Sequence, residues 1–323
     1  MHYFVFPYGQ SITFDIKKPE LLDILTKLLT PYVQVEGDYP TADLYMEVLF
    51  NAHTYHPGKH MELRDLINSI FFEKVCDIGD WVIDTDFDQT SLFYRQGKLQ
   101  IELQDGKFET VYQLYQVIRS IYVELLLKYS VEFHGAAIQI NNKGVLILGE
   151  KFAGKTTMML KLLQMSQQND VNRYFISNDD IYIDDNQVAW GNSRSVSIRQ
   201  ITFDNLKLNK PVTQYIHKPQ TRDEYWKNKY RFLPSEIVNE FSAKLHNRMK
   251  INIVVILKYG SARTLKLVFD EKQSILHHVT QDYVGNKTRV IKRLVNDAKI
   301  IEITTNQKNI VSDVEMFYQQ FLF

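Results

Sequence analysis

Hydrophobic spacing along the chain switches several times between a two-residue and a helical rhythm. HYFVF (2–6) and SITFDI (11–16) read as strands, PELLDILTKLL (19–29) as an amphipathic helix, and DLYMEVLF (43–50) as a further strand. SLFYR and KLQIELQ flank a Gln96-Gly97 turn, with Leu99, Ile101 and Leu103 alternating with polar residues, which predicts a hairpin. From Val111 the spacing becomes helical, placing Leu114, Tyr115, Ile118, Ile121, Tyr122 and Leu125 on one face with it. That helix should end near Ser130 and join two lobes.

The second lobe is denser in α/β signals. VEFHGAAIQI and GVLIL read as neighbouring strands joined by an Asn-Asn-Lys-Gly turn, and Met159, Leu162 and Leu163 mark the buried face of a helix. RYFIS is predicted as a short strand ending on Asn178-Asp179-Asp180, followed by a hairpin in IYIDDNQVAW turning at Asp185-Asn186. From about Asn205 to Pro234 the periodicity disappears, and Lys207, Lys210, Lys218, Arg222, Lys227, Lys229 and Arg231 gather around Tyr and Trp. An extended basic-aromatic insertion is expected there. INIVVIL and KIIEITT read as later strands and Asn309 to Phe321 as a closing helix. The expected class is α/β (α+β overall), with a mixed α/β lobe over residues 1–130 and a second domain over 131–323.

Composition narrows the function classes. The 323 residues carry 38 basic and 38 acidic side chains, and this balance argues against a protein whose main business is gripping nucleic acid. Cys76 is the single cysteine, so no intramolecular disulfide can form and a reducing interior is expected. No apolar run approaches the length of a membrane span, and MHYFVFPYGQ lacks the marks of a signal peptide. A cytoplasmic protein without membrane or nucleic-acid partners is expected, and a homo-oligomer remains open.

The chemistry concentrates in GVLILGEKFAGKTT (144–157). The segment fits G-x-x-x-x-G-K-[ST], with Gly149, Gly154, Lys155 and Thr156 in the fixed positions, between a predicted strand and a predicted helix. In such a loop, backbone N–H groups and the following helix N-terminus wrap phosphate. Lys155 would neutralise β/γ oxygens and the Thr156 hydroxyl would ligate Mg²⁺. Phe152 and Ala153 are bulkier than the residues usual there, and Lys151 and Thr157 complete the expected nucleotide-contacting set.

Asp179 and Asp180 follow Lys155 by one helix and one strand, and strand-end carboxylates beside a phosphate loop can divide the work of proton acceptor and metal holder. A solvated Asn-Asp-Asp turn is the alternative. His134 precedes Gly135 on the strand beside GVLIL and reads equally as a packed core histidine or as a functional one. The run His53, His56, His60 lacks helical spacing and a matched carboxylate, and a solvated loop is favoured over a metal site. Arg194 and Arg199 are candidates to meet an anionic substrate, as are Arg222 and Arg231 of the insertion; an ordinary solvated charge is the alternative for each.

The order FHGAAI, GVLILGEKFAGKTT, FISNDDIYI, DDNQVAWGNSRSVSIRQITF resembles the HPr kinase/phosphorylase family over about Val131 to Leu206. It looks closest to the HPr-kinase-related P-loop kinases, some of which phosphorylate ribosomal peptides such as lasso precursors. The resemblance implies a phosphoenolpyruvate-carboxykinase-like core, with ATP bound by the segment from Gly149 to Thr157. It further implies Asp179 as catalytic base, with Asp180 and His134 near metal and transferred phosphate. The glycine-rich arginine motif that follows the Asp pair in true HPr kinases has no copy here, which argues against HPr as acceptor and against phosphorylase activity. The expected function is an ATP- and Mg²⁺-dependent kinase acting on a Ser or Thr hydroxyl of a peptide or protein. A small-molecule alcohol kinase and a nucleotide-binding sensor are the alternatives.

Overall fold

The computed structural model describes residues 2–16, 19–36, 42–50, 59–75, 78, 80–84, 91–95, 97–103, 108–209, 229–261, 263–268, 272–281 and 287–323. The chain is mixed α/β and divides into two compact units, Met1–Lys128 and Tyr129–Phe323. No helix among the described residues is long and apolar enough to cross a membrane.

The first unit is built on strands β1 (His2–Val5), β2 (Ser11–Asp15), β3 (Gln34–Glu36), β4 (Leu44–Phe50), β5 (Lys59–Glu62), β6 (Trp81–Asp84), β7 (Ser91–Arg95) and β8 (Lys98–Leu103). They form one mixed sheet in the order β3-β1-β2-β4-β8-β7-β6-β5. Helices α1 (Pro19–Leu29), α2 (Leu63–Ile67) and α3 (Phe108–Leu127) pack among themselves, and α3 buries Leu114, Tyr115, Ile118, Ile121, Tyr122 and Leu125 as its periodicity requires. The β7–β8 hairpin is present, and Gly97 takes the positive φ of 77° that its turn demands. His60 lies on β5, whereas His53, His56 and Cys76 fall outside the described residues.

The second unit runs β9 (Ser130–Ile140), β10 (Lys143–Gly149), α4 (Lys155–Gln168), β11 (Arg173–Asp184), β12 (Val188–Trp190), β13 (Val196–Arg199), α5 (Gln200–Leu206), β14 (Lys229–Phe232), α6 (Pro234–Glu240), β15 (Lys244–Leu245) and β16 (Arg248–Lys250). It continues through β17 (Ile253–Tyr259), β18 (Thr264–Val268), α7 (Lys272–Leu276), β19 (Val279–Gln281), α8 (Lys287–Asp297), β20 (Lys299–Thr305) and α9 (Ile310–Phe317). The main sheet has the order β16-β12-β11-β9-β10-β17-β20-β18. β10, β17 and β20 are mutually parallel, while β9 lies antiparallel between β10 and β11.

Successive residues of β10 serve opposite faces, as a strand's two-residue period dictates. Val145 and Ile147 join a cluster with Met159 and Leu162 of α4 and Val314 of α9, and Leu146 and Leu148 join one with Ile275 of α7 and Leu294 of α8. A strand covered on both faces must be apolar throughout, which is why GVLIL shows no polar alternation. The β9–β10 turn places Asn141 and Asn142 at φ 49° and 63°, a pair of left-handed residues suited to a tight two-residue hairpin.

Two expectations are corrected here. RYFIS and IYID are not separate strands with the acidic pair at a strand end. Both belong to β11, which stays paired with β9 through Asn178, Asp179 and Asp180. The sheet absorbs the polar triplet through a register shift between Phe175 and Ser177 and a φ of 74° at Asp179, so pairing continues through it. The expected insertion from Asn205 to Pro234 also has structured ends. Asn205 and Leu206 close α5, and β14 pairs with β13. Lys210, Lys218, Arg222, Tyr225, Trp226 and Lys227 lie outside the described residues.

Candidate functional site

The glycine loop starts at the carboxyl end of β10 and leads into α4. Gly149 pairs with Leu257 of β17, and a Cβ at Gly149 would stand 2.7 Å from the Leu257 carbonyl oxygen, so a side chain there would force the two strands apart. Gly154 enters α4 at φ 99°, a conformation that glycine adopts without strain. Phe152 adopts φ 76° without that freedom and is 57% exposed, an uncommon combination for a bulky residue.

Lys155 follows at the first position of α4 and is buried. Its ammonium donates to the carbonyl oxygens of Gly149 at 2.8 Å and Glu150 at 3.1 Å, folding the side chain back across the loop. Burial lowers its pKa, and the nearby Asp179 carboxylate acts in the opposite direction. Thr156 donates its hydroxyl to Asn178 Oδ1 at 3.0 Å, and Thr157 shares a 2.7 Å hydroxyl contact with Thr202.

One cavity brings together Lys151, Phe152, Ala153, Gly154, Lys155, Thr156 and Thr157 with His134, Asp179, Arg194 and Arg199. Lys151, Lys155, Arg194 and Arg199 line it against the single carboxylate of Asp179, which makes it a cationic cleft. His134 is held below its ordinary pKa by burial and by Lys155, with Asp179 and Asp180 opposing, so the imidazole is neutral near pH 7. Cross-strand pairing sets these neighbours, with Asp180 opposite His134 and Asp179 opposite Gly135.

The remaining candidates are placed differently. Asp180 accepts from Arg194 in a 2.6 Å ion pair, so the side chains assigned to metal and to substrate meet each other. Burial opposes the Arg194 charge, and Asp180 more than restores it, raising the pKa. Arg199 stacks its guanidinium 4.0 Å from the centre of the Phe152 ring, and burial lowers its pKa. Arg231 sits exposed on β14 opposite Ser197, and Arg222 lies outside the described residues.

The donor set can be tested against a magnesium ion. Thr156 Oγ1 and Asn178 Oδ1 lie 3.0 Å apart. Mg²⁺–oxygen bonds of about 2.0–2.1 Å give an octahedral edge of roughly 2.9 Å. Asp179 and Asp180 follow next along β11 and carry hard oxygen donors, but Asp180 is paired with Arg194 and no group of three or more His, Cys, Asp or Glu side chains gathers among the described residues, so the donor set for the ion is partial. Asn178 Nδ2 is buried without a hydrogen-bond partner among the described residues.

Sequence reasoning did not single out Tyr259, Asn306, Gln307 and Ile310, which line the same cavity, or His277 and His278, which line a second one sharing His134 and Lys151 with the first. Tyr259 and Asn306 lie at or just beyond the carboxyl ends of β17 and β20, where the strand-end rule applied to Asp179 would have pointed. Burial, Lys155 and the neighbouring His277 and His134 push the His278 pKa down to about 4. The turn between α7 and β19 that carries it has no periodic signature.

No family model matches the chain, and no curated protein does. Among solved structures, the chain is similar to the Hpr(Ser) kinase/phosphatase from Coxiella burnetii, at 12% identity over 58% of this chain and 97% of that one, with a TM-score of 0.29. A likeness of that size carries no argument about activity.

Proposed function

We propose that the chain is an ATP- and Mg²⁺-dependent phosphotransferase that moves the γ-phosphoryl group to an alcohol, foremost a Ser or Thr hydroxyl of a peptide or protein. The observation that carries this reading is the strand–loop–helix at β10–α4, opening on a cationic cleft with Asp179 and His134 facing the buried Lys155. Loop N–H groups and the α4 N-terminus would hold the phosphate chain, and Lys155 would leave the Gly149 and Glu150 carbonyls for β/γ oxygens. Thr156 and Asp180 would hold the metal ion. When bound, that ion screens the phosphate charge and orients it.

Asp179 would accept the proton of the attacking hydroxyl while the hydroxyl oxygen bonds to the γ-phosphorus and the bond to the β–γ bridging oxygen breaks. Neutral His134 can hold the transferring group by hydrogen bonding without adding charge. Arg194 would stabilise equatorial oxygens, provided its pairing with Asp180 is shared with the metal. Intact-mass analysis of Ser- and Thr-containing peptides and of free serine after incubation with Mg·ATP tests the reading. A gain of one phosphoryl group that disappears in Asp179→Asn supports it. Binding of ATP with slow hydrolysis and no transfer to any alcohol would instead support a nucleotide sensor.

A further inference from the structure

The proposed chemistry occupies the end of the cavity next to β9 and β11 and leaves the opposite end without a role. Tyr259 and the Asn306–Gln307 turn line that opposite end, together with Ile310. Tyr259 is the register partner of Thr305, so its ring and the turn that follows β20 sit side by side at the carboxyl edge of the sheet. Tyr259 is 63% exposed at the cavity wall.

The turn beside it is firmly held. Asn306 Oδ1 accepts the backbone N–H groups of Lys308 at 3.0 Å and Asn309 at 3.2 Å. Asp313 is buried behind it and accepts from Thr305 Oγ1 and Arg263. None of Tyr259, Asn306, Gln307 and Ile310 is charged, whereas Lys151, Lys155, Arg194 and Arg199 gather elsewhere along the cleft. This end suits a neutral planar group and is ill suited to another phosphate or carboxylate.

A nucleoside triphosphate carries its base and its γ-phosphoryl group at opposite ends of the phosphate chain. With the γ end directed at Asp179 on β11, the β17 and β20 side lies across β10 and offers the base the far end of the cleft. We infer that Tyr259, Ile310 and the Asn306–Gln307 turn form the base subsite of this cleft, taking a purine ring by stacking on Tyr259 with the Gln307 amide at its polar edge. Base–aromatic stacking supplies affinity for any base, and an amide with both donors and an acceptor supplies the discrimination between them. The inference rests on the nucleotide-binding reading above and adds where the base is held.

Calorimetry of the full chain with Mg²⁺ and ATP, GTP or inorganic tripolyphosphate separates the two. Wild type should bind ATP or GTP at least about tenfold more tightly than tripolyphosphate. Tyr259→Ala should lose about ten- to a hundredfold in nucleotide affinity, leaving tripolyphosphate binding unchanged, while Tyr259→Phe stays near wild type. Gln307→Ala should change the ATP:GTP ratio. The subsite is overturned if Tyr259→Ala binds nucleotide as wild type does, if it loses nucleotide and tripolyphosphate equally, or if wild type does not distinguish nucleotide from tripolyphosphate. Failure of wild type to bind any of the three ligands removes the nucleotide reading and the subsite together. Because Tyr259 is mostly exposed, an unchanged thermal midpoint should certify each variant.

Discussion

The two flanks of the glycine loop between β10 and α4 are built from opposite materials. On the β9/β11 flank, His134, Asp179 and Asp180 crowd together through antiparallel pairing, with one left-handed aspartate, and Arg194 joins them through a 2.6 Å ion pair with Asp180. On the β17/β20 flank the strands are parallel and regular, and they deliver an exposed tyrosine and an amide-bearing turn. Charge, irregular backbone and altered proton affinity gather where bonds would be made and broken. Neutral planar and amide groups gather where a ligand would only be recognised. Strain and perturbed titration cluster at reacting centres because a regular, relaxed environment leaves such groups in their ordinary state.

The most severe way to break the comparison is to remove the group between the flanks. Lys155→Ala should reduce transfer by on the order of 10³-fold or more while the thermal midpoint holds, since the ammonium touches only loop carbonyls. A folded Lys155→Ala protein with normal transfer would end the phosphate-loop assignment. Asp179→Asn should separate the flanks, cutting turnover by on the order of 10²-fold or more with nucleotide affinity near wild type. Equal loss of binding and turnover in Asp179→Asn would move the base elsewhere.

Asp180→Asn should act more mildly, raising the Mg²⁺ concentration at half-maximal rate by about tenfold. Arg194→Lys keeps a charge but loses the planar fork that meets the carboxylate, and an unchanged Mg²⁺ dependence in both variants would take Asp180 out of the metal site.

The smallest effect concerns His278, beside Lys155, His277 and His134. Folded His278 takes its proton only near pH 4, whereas the unfolded side chain takes it near 6.5. Between those values the unfolded state holds more protons, so stability falls as pH drops from about 6.5 towards about 4. Thermal midpoints measured across that window should decline in wild type and decline less in His278→Gln. Parallel curves for the two proteins would mean that His278 does not report the electrostatics of this flank.

What the sequence determined by itself is local. The apolar run GVLIL, the glycines and lysine after it, and the apolar face of α4 are legible because strand burial, loop conformation and helix periodicity each act within a few residues. The β9–β10 turn is legible for the same reason, since Asn141 and Asn142 tolerate the left-handed region that it needs. The acidic pair stood out in the sequence but was misplaced as structure. Its polar triplet looks like the end of a strand, and only the long antiparallel partner β9 holds it inside β11. Tertiary structure alone decided that Asp180 meets Arg194, that Arg199 rests on Phe152, and that Tyr259 stands beside the turn after β20. Those neighbours come from strands and turns distant in sequence. Their contacts are set by cross-strand register and sheet order, which no local propensity encodes.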